Sequence, residues 1–503
     1  MSTNRLDQIK NEFNFIILNY RYALLICPAL LVYIFSNDIN IIALYGLIYR
    51  KICLHNFNET ICNSLQNFTN YSILVQEISS HKNIELNVAF LVPAIFAIIQ
   101  LASIGDRRRN YQLPLIVSLI GSLGQAFILI FAVKQEYSTC FALLVVSQIV
   151  NGLCGGGSLA FISSCFSHIA VHEDKVNAIN NAGQKYRSIR YSILESSLLF
   201  GQFFGSFSSG YLIGNRRELY KFQQTYIISF SLYLIVFIYT IIIFKYIKRK
   251  SPDEVPKIEN NENLDVDVLK TDMVHVVEPK IGLFKKIKNQ FKFLGEAWVL
   301  LSKKRDKNAR FLIISILILF YFGCSISLGI ISLQYLYLIK KPISLTQIQY
   351  GLYKALSTCC RAVSLLVILP ILKRFFKLPD YFLLVIGLTS EFLNLVVFSL
   401  ASRFTWIVWL GPVAYMCSNY FAVCVRSYAS KLVDKNETGK VFGLVGVTEF
   451  LVLLTSSTAF SLIYKQTVST FPSLVFIVGC GICILICYPF LIFIIRELKK
   501  HQF

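Results

Sequence analysis

The sequence has little charge and none of the short motifs that mark the common enzyme classes. Only 15% of its 503 residues are Asp, Glu, Lys or Arg, compared with about 25% in a soluble globular domain. The chain contains no H-E-x-x-H, G-x-S-x-G or G-K-[ST] pattern, and no cluster of residues has metal-ligand spacing. These absences argue against a soluble protein, an enzyme and a protein with a metal or an organic cofactor.

Acidic residues are scarce beside basic ones, with 28 Asp and Glu against 49 Lys and Arg, a net charge of +21. Such an excess can signal nucleic-acid binding. Most of the basic clusters fall on one side if the N-terminus is cytoplasmic, as the positive-inside bias expects; 215–221 and 338–342 are exceptions. We therefore expect a topology signal and no nucleic-acid partner. The clusters are 105–110, 185–190, 245–250, 303–310, 372–377 and 496–501.

Long apolar runs dominate what is present, since 55% of the residues are hydrophobic. A helix of roughly twenty apolar residues crosses a bilayer. Runs of that length predict an all-α, polytopic membrane protein with about twelve transmembrane helices. The first fifteen residues are polar and the first run is too long for a cleavable signal, so that helix should remain. The runs are 22–47, 87–104, 113–133, 138–163, 190–213, 224–247, 309–338, 348–371, 379–400, 405–428, 440–464 and 471–495.

The first long polar segment, 48–86, follows the first run and should lie outside the cytoplasm. Three N-glycosylation sequons begin at Asn58, Asn67 and Asn70, and their clustering in one loop predicts glycans on this side. Two cysteines lie in the same oxidising environment and can pair with one another. These are Cys53 and Cys62.

The second polar segment, 248–308, separates an N-terminal half, 1–247, from a C-terminal half, 309–503. Its end, 284–301, has apolar residues at spacings of three and four with lysines between them. This pattern predicts a basic amphipathic helix, lying on the inner leaflet or packed on the helix bundle. Six runs on either side of a cytoplasmic linker are typical of the two repeats of the major facilitator architecture.

Glu195 lies roughly two turns inside the fifth run, where an unpaired carboxylate is costly and favours its neutral form. It belongs to a polar stripe, which must face protein or a water-filled cavity, and we expect the whole stripe to face a cavity. Beside the stripe, Gly201 and Gly205 have the small-x-x-x-small spacing of closely packed helices. Glu195 is therefore a functional candidate, with a structural hydrogen bond between helices as the alternative. The stripe is Ser188, Tyr191, Ser192, Glu195, Gln202, Ser206 and Ser209.

Other charges of both signs occur within the apolar runs. Charges of opposite sign on different helices predict a charged cavity between the two halves, although each can instead belong to a structural ion pair. These residues are Asp38, Arg361, Glu391 and Glu449, with Arg426 near the end of the tenth run.

Several stretches resemble the family of the proton-coupled folate transporter and the heme carrier. They are "NGLCGGGSLAFISSCFSHIA" followed by "RSIRYSILE", "VRSYASKLVDKNETGKVFGL", "LQYLYLIKKPISLTQIQYG" and "LYGLIYRKIC". The resemblance covers nearly the whole chain. It implies a major facilitator fold and proton-driven symport of an organic anion or a similar small solute through alternating access.

The resemblance also implies roles for individual positions. Glu195 matches a glutamate associated with proton coupling, and Arg426 an arginine associated with proton and substrate binding. Asp38, Arg361 and Glu449 are further candidates for charges that contact the substrate or line its cavity. A cytoplasmic gating motif retains Asp106 and Arg107, and Arg187 and Arg190 lie at the same end of the protein.

A secondary transporter is thus the predicted function, and a receptor or scaffold that uses a transporter fold is the alternative. The expected partners are a small solute, protons and the lipid bilayer. No clear lysosomal sorting signal occurs, so the plasma membrane is the expected location. The oligomeric state has no signature in the sequence.

Overall fold

A computed structural model describes residues 3–65, 68–108, 111–168, 183–214, 218–250, 309–376, 378–431 and 438–500. These residues form helices and turns, as the all-α prediction requires. The amphipathic helix predicted over 284–301 and most of the 248–308 linker lie outside these ranges.

The first six helical segments belong to the N-terminal half. They are α1 (Thr3–Asn56), α2 (Thr69–Arg108), α3 (Gln112–Ala132), α4 (Tyr137–Leu153, continued by 158–168), α5 (Gly183–Ile213) and α6 (Leu219–Lys250). The turn inside α4 contains Gly155, Gly156 and Gly157, all with positive φ, a conformation that glycine adopts without steric cost.

The next six segments belong to the C-terminal half, and three of them are not continuous α-helices. The segment α8 passes through a π-helical turn at Ser364–Ile368, α12 through one at Cys483–Cys487, and α10 begins with a 3₁₀ turn at Thr405–Leu410. The bounds are α7 (Ala309–Ile339), α8 (Gln347–Val363 and Leu369–Arg374), α9 (Asp380–Ala401), α10 (Gly411–Ala414 and Asn419–Lys431), α11 (Thr438–Thr467) and α12 (Leu474–Ile482 and Tyr488–Lys500).

Nine of these twelve segments are long and apolar enough in their described residues to cross a membrane. The other three, α2, α5 and α11, include residues whose side chains are not described, and each contains one of the apolar runs predicted to cross the membrane: 87–104, 190–213 and 440–464. All three also lie where the two halves meet, because α2 packs against α11 and α5 packs against α8.

The outer segment 48–86 is more helical than its polar composition predicts. Helix α1 continues to Asn56 and α2 begins at Thr69. Polar residues in the first part of α2 are buried against neighbouring helices. Ser80, for example, donates to the carbonyl oxygen of Ser461 at 2.9 Å. Satisfied polar groups do not interrupt a helix, so only 57–68 connects the two. The buried polar residues are Ser72, Gln76, Ser79, Ser80 and Asn83.

The glycines of α5 bring it into backbone contact with α1, as their spacing predicts. A Cβ atom at Gly201 would lie 2.6 Å from the carbonyl oxygen of Leu31, and one at Gly205 would lie 2.7 Å from that of Phe35. Both distances are too short for any side chain. Larger residues at either position would therefore push α5 away from α1.

The two halves touch near their outer ends, on the side of 57–68. A Cβ atom at Gly210 of α5 would lie 3.3 Å from the Cα of Gly351 in α8. On the other side of the interface, the Tyr464 hydroxyl of α11 donates to Gln76 Oε1 of α2 at 2.9 Å. The described outer parts of the halves are thus closed against each other.

Candidate functional site

Three of the predicted charged residues come together deeper in the interface between the halves. Arg426 of α10 donates to Glu449 of α11 and forms an ion pair with it. Glu195 of α5, in the opposite half, lies close enough for the charge of Arg426 to act on its carboxyl group. We call Glu195, Arg426 and Glu449 the inner trio.

The inner trio borders an open space. The Arg426 side chain is 42% exposed and that of Glu449 is 25% exposed, although both belong to helices that cross the membrane. A charged group cannot stably face the hydrocarbon core of a bilayer, so this exposure must be to an aqueous cavity between helices. This arrangement is consistent with the charged cavity predicted between the two halves.

A second set of charges lies nearer the outer side, and we call it the outer quartet: Asp38 of α1, Lys354 and Arg361 of α8, and Glu391 of α9. Asp38 accepts a hydrogen bond from Ser206 of α5, and it acts electrostatically on Lys354 and Arg361.

Glu391 is buried and lies within electrostatic range of Arg361. Arg361 itself donates to Thr358 Oγ1 at 3.3 Å, and its guanidinium carbon lies 5.4 Å from the ring centre of Tyr415.

Lys354 is not among the residues predicted from the sequence, although a lysine inside the apolar run 348–371 was an available signal. The two sets are close neighbours, since Cys324 of α7 lies within electrostatic range of Arg426 and Glu449 on one side and of Glu391 on the other. Ionisable groups therefore follow one another through the depth of the interface.

The polar stripe of α5 serves two different environments. Glu195, toward the N-terminal end of α5, belongs to the inner trio. Ser206 and Ser209, toward the outer end, are buried, and Ser206 binds Asp38. The prediction that the whole stripe faces a cavity is therefore wrong for its outer end, because α1 and α8 pack there.

Comparison with known families decides what this architecture is. A sequence model of the Major Facilitator Superfamily matches residues 52–457. The chain belongs to the major facilitator superfamily. It is accordingly a multi-pass membrane transporter and not an enzyme, as the sequence predicted.

Curated relatives of this superfamily member carry the name "Lysosomal proton-coupled steroid conjugate and bile acid symporter SLC46A3". The protein from Gallus gallus is 24% identical over 480 residues, covering 92% of each chain. The protein from Homo sapiens is 23% identical over 411 residues, covering 82% of this chain and 79% of the human one. They belong with the folate transporter and the heme carrier, so the resemblance noted in the sequence is confirmed.

Solved structures agree on the fold. A POT family transporter in complex with 5-aminolevulinic acid superimposes with a TM-score of 0.57 at 14% identity, covering 93% of this chain and 96% of that chain. The peptide transporter POT in complex with sulfate gives a TM-score of 0.56 at 11% identity, with coverages of 93% and 95%. At these identities the likeness establishes the major facilitator fold alone.

The predicted gating motif of this superfamily member is only partly visible. Asp106 and Arg107 lie near the C-terminal end of α2, and Arg187 and Arg190 lie in the first turns of α5, at the ends predicted to be cytoplasmic. Their side chains are outside the described part of the structure, so their role in gating stays a prediction.

The outer connection contains the predicted modification sites. Cys53 and Cys62 are joined by a disulfide. Asn58 and Asn70 are exposed, whereas Asn67 lies outside the described residues. Exposure makes the two asparagines accessible for glycosylation, which stays a prediction.

Proposed function

We propose that the chain is a proton-coupled symporter that carries an amphipathic organic anion toward the cytoplasm. The observation that carries this proposal is the inner trio, in which two carboxylates on opposite halves share one guanidinium. The names of the relatives, which include steroid conjugates, bile acids and proton coupling, support the same chemistry.

The inner trio links proton binding to movement of the two halves. Two carboxylates and one guanidinium leave one negative charge in excess, and one proton neutralises it. With Glu195 charged, its attraction to Arg426 draws the deeper parts of the halves together. Protonation of Glu195 removes that attraction across the interface, while Arg426 keeps Glu449 as its partner. The protonated form should therefore open more readily toward the cytoplasm, which couples proton entry to solute release.

We further propose that this protein resides in the lysosomal membrane. The sequence led us to expect the plasma membrane, but the curated relatives are named lysosomal, and their names favour the organelle. The outer connection, 57–68, would then face the acidic lumen, and the proton gradient would drive solute into the cytoplasm. A tagged protein that co-localises with a plasma-membrane marker and not with a lysosomal marker would contradict this location.

Glu195→Gln is the decisive variant for coupling, because it retains shape and hydrogen bonding but cannot bind a proton. Purified protein is reconstituted with its outer side facing an acidic buffer, and uptake of a radiolabelled steroid sulfate is followed. We expect the wild type to accumulate the probe. The variant should lose most of the stimulation by acid while retaining exchange of labelled for unlabelled probe at equal pH.

The matched control is Glu218→Gln, the same chemical change at the outer end of the N-terminal half, where Glu218 faces Lys221 at 3.8 Å. It should behave as the wild type. Glu195→Gln protein with the same pH dependence as the wild type, at equal amounts of folded protein, would show that Glu195 is structural.

A further inference from the structure

Helix α8 presents two cations on one face, and neither has a close counter-ion among the residues that the structure describes. Lys354 and Arg361 are seven residues apart, which places them about 10 Å apart along the helix and within about 20° around it. Within the described ranges, no carboxylate oxygen lies within 4.0 Å of either side chain, and the ion pairs formed there involve other cations.

Arg361 is also short of hydrogen-bond acceptors. Among described residues its five N–H donors make one hydrogen bond, to Thr358 Oγ1, and its Nε is buried without a partner. Arg426 differs, because it donates a hydrogen bond to Glu449 and forms an ion pair with it. A buried donor without an acceptor is unfavourable, so an incoming anion would be favoured at Arg361 and not at Arg426.

Two carboxylates of the outer quartet weaken the attraction between the α8 cations and an incoming anion. Asp38 and Glu391 act on Lys354 and Arg361 from beyond ion-pair distance, while Ser206 already donates to Asp38. A transported anion must be released as well as bound, and a site with partly offset charge meets both needs.

Three tyrosines lie near the charged groups of the outer quartet. The ring of Tyr415 stacks beneath the Arg361 guanidinium, Tyr353 lies within electrostatic range of both, and Tyr350 lies near Asp38. Tyr350 and Tyr353 are buried, whereas Tyr415 offers a partly exposed aromatic face beside the cations. An aromatic face next to a pair of cations suits a ligand that carries both a rigid apolar body and an acidic group.

We propose that Lys354 and Arg361 form the anion-binding subsite of this transporter, which receives the carboxylate or sulfate of an amphipathic, ring-bearing organic anion. The inference deepens the proposed symport and rests on it for the direction of movement. On this proposal Arg426 belongs to proton coupling. Of the charged residues that the sequence made candidates for substrate contact, Arg361 then binds the anionic group.

The test measures ligand binding to purified protein in detergent, without a proton gradient, from the thermal stabilisation that a ligand produces. The probes are a steroid sulfate and its unsulfated parent steroid. We expect Arg361→Gln to weaken binding of the sulfate about 10- to 100-fold, as the loss of a charge-assisted hydrogen bond predicts. Lys354→Gln should weaken it several-fold. Binding of the parent steroid should change little.

Three controls make the outcome decisive. Arg403→Gln, at an exposed arginine, should leave both affinities unchanged, and Arg361→Lys should retain part of the preference for the sulfate. Glu218→Gln, in neither charged set, should bind the sulfate as the wild type does. Because this measurement uses no proton gradient, a failure of coupling in the uptake experiment and a failure of this subsite are distinguishable.

Unchanged sulfate affinity in Arg361→Gln would overturn the proposal. So would an equal loss for the sulfate and the parent steroid, or a wild-type protein that does not bind the steroid sulfate.

Discussion

The outer and deeper parts of the interface between the two halves are built from different chemistry. Near the outer side, the described contacts are mainly neutral, such as the Tyr464–Gln76 hydrogen bond and the backbone contact at Gly210 and Gly351. Deeper in, Glu195 of one half faces Arg426 of the other. A neutral contact has almost the same strength at every pH, whereas a contact between ionisable groups changes when one is protonated.

This difference assigns separate tasks to the two regions. In the proposed mechanism, acidification acts on the deeper contact while the outer packing remains intact, and a proton selects which side of the transporter opens. The outer quartet lies between the two regions and has cations without close carboxylate partners among the described residues, as the proposed solute site requires.

The largest effect should come from breaking the inner trio. Arg426→Gln leaves Glu449 without its partner, and truncating one member of such a pair is far more damaging than replacing both. We expect acid-driven uptake of the steroid sulfate to fall at least about tenfold. The reciprocal exchange, Arg426→Glu with Glu449→Arg, should recover part of the stability in a thermal-unfolding measurement.

The exchange distinguishes the stabilising effect of the charge pair between positions 426 and 449 from the effect of having a positive charge opposite Glu195. It restores a charge pair between α10 and α11 but places a carboxylate opposite Glu195. Stability should therefore recover more than coupling does. Full recovery of both would show that Glu195 does not sense the charge at position 426.

The sequence predicted much of this fold because lipid imposes a simple rule on its apolar helices. Long runs located the spans, and intramembrane charge pointed to Glu195 and Arg426. It could not predict that Arg426 pairs with Glu449, because that contact joins two helices and depends on their packing. The helical parts of 48–86, up to Asn56 in α1 and from Thr69 in α2, were not predicted. Buried polar residues give such a segment the composition of a loop.

A smaller effect should follow from separating the outer contact. Gly210→Val places a side chain where the α8 backbone lies 3.1–3.3 Å away, so the outer ends should move apart. We expect steroid sulfate uptake to fall several-fold. A cysteine introduced at Gln347 should react faster with a membrane-impermeant thiol reagent in this variant. Gly481→Val, in α12 where nothing lies within 4 Å, is the matched control. Equal reactivity in the two variants would show that this contact does not close the outer side.

The smallest effect concerns Lys340, the exception to the neutral outer region. Lys340 directly follows α7, is 8% exposed and donates to the carbonyl oxygen of Val468. Burial lowers the pKa of Lys340 from 10.5 to about 8, while the Glu77 carboxylate opposes that shift. Between these two pH values the unfolded chain binds more protons than the folded chain, so stability should rise with pH across that window.

Replacing Lys340 by Met removes this titration. The melting temperature of the wild type should therefore increase relative to that of Lys340→Met as the pH rises from about 7.5 to about 9.5, with at most about 3 kcal/mol involved. Below about pH 8 the cost of burying the charged amine is present in full, and above about 10.5 it is gone. The exposed neighbour offers the control, since Lys341→Met should follow the wild type throughout. If the difference between the wild type and Lys340→Met stays constant with pH, Lys340 does not titrate in this range, and the outer region is insensitive to pH at this position also.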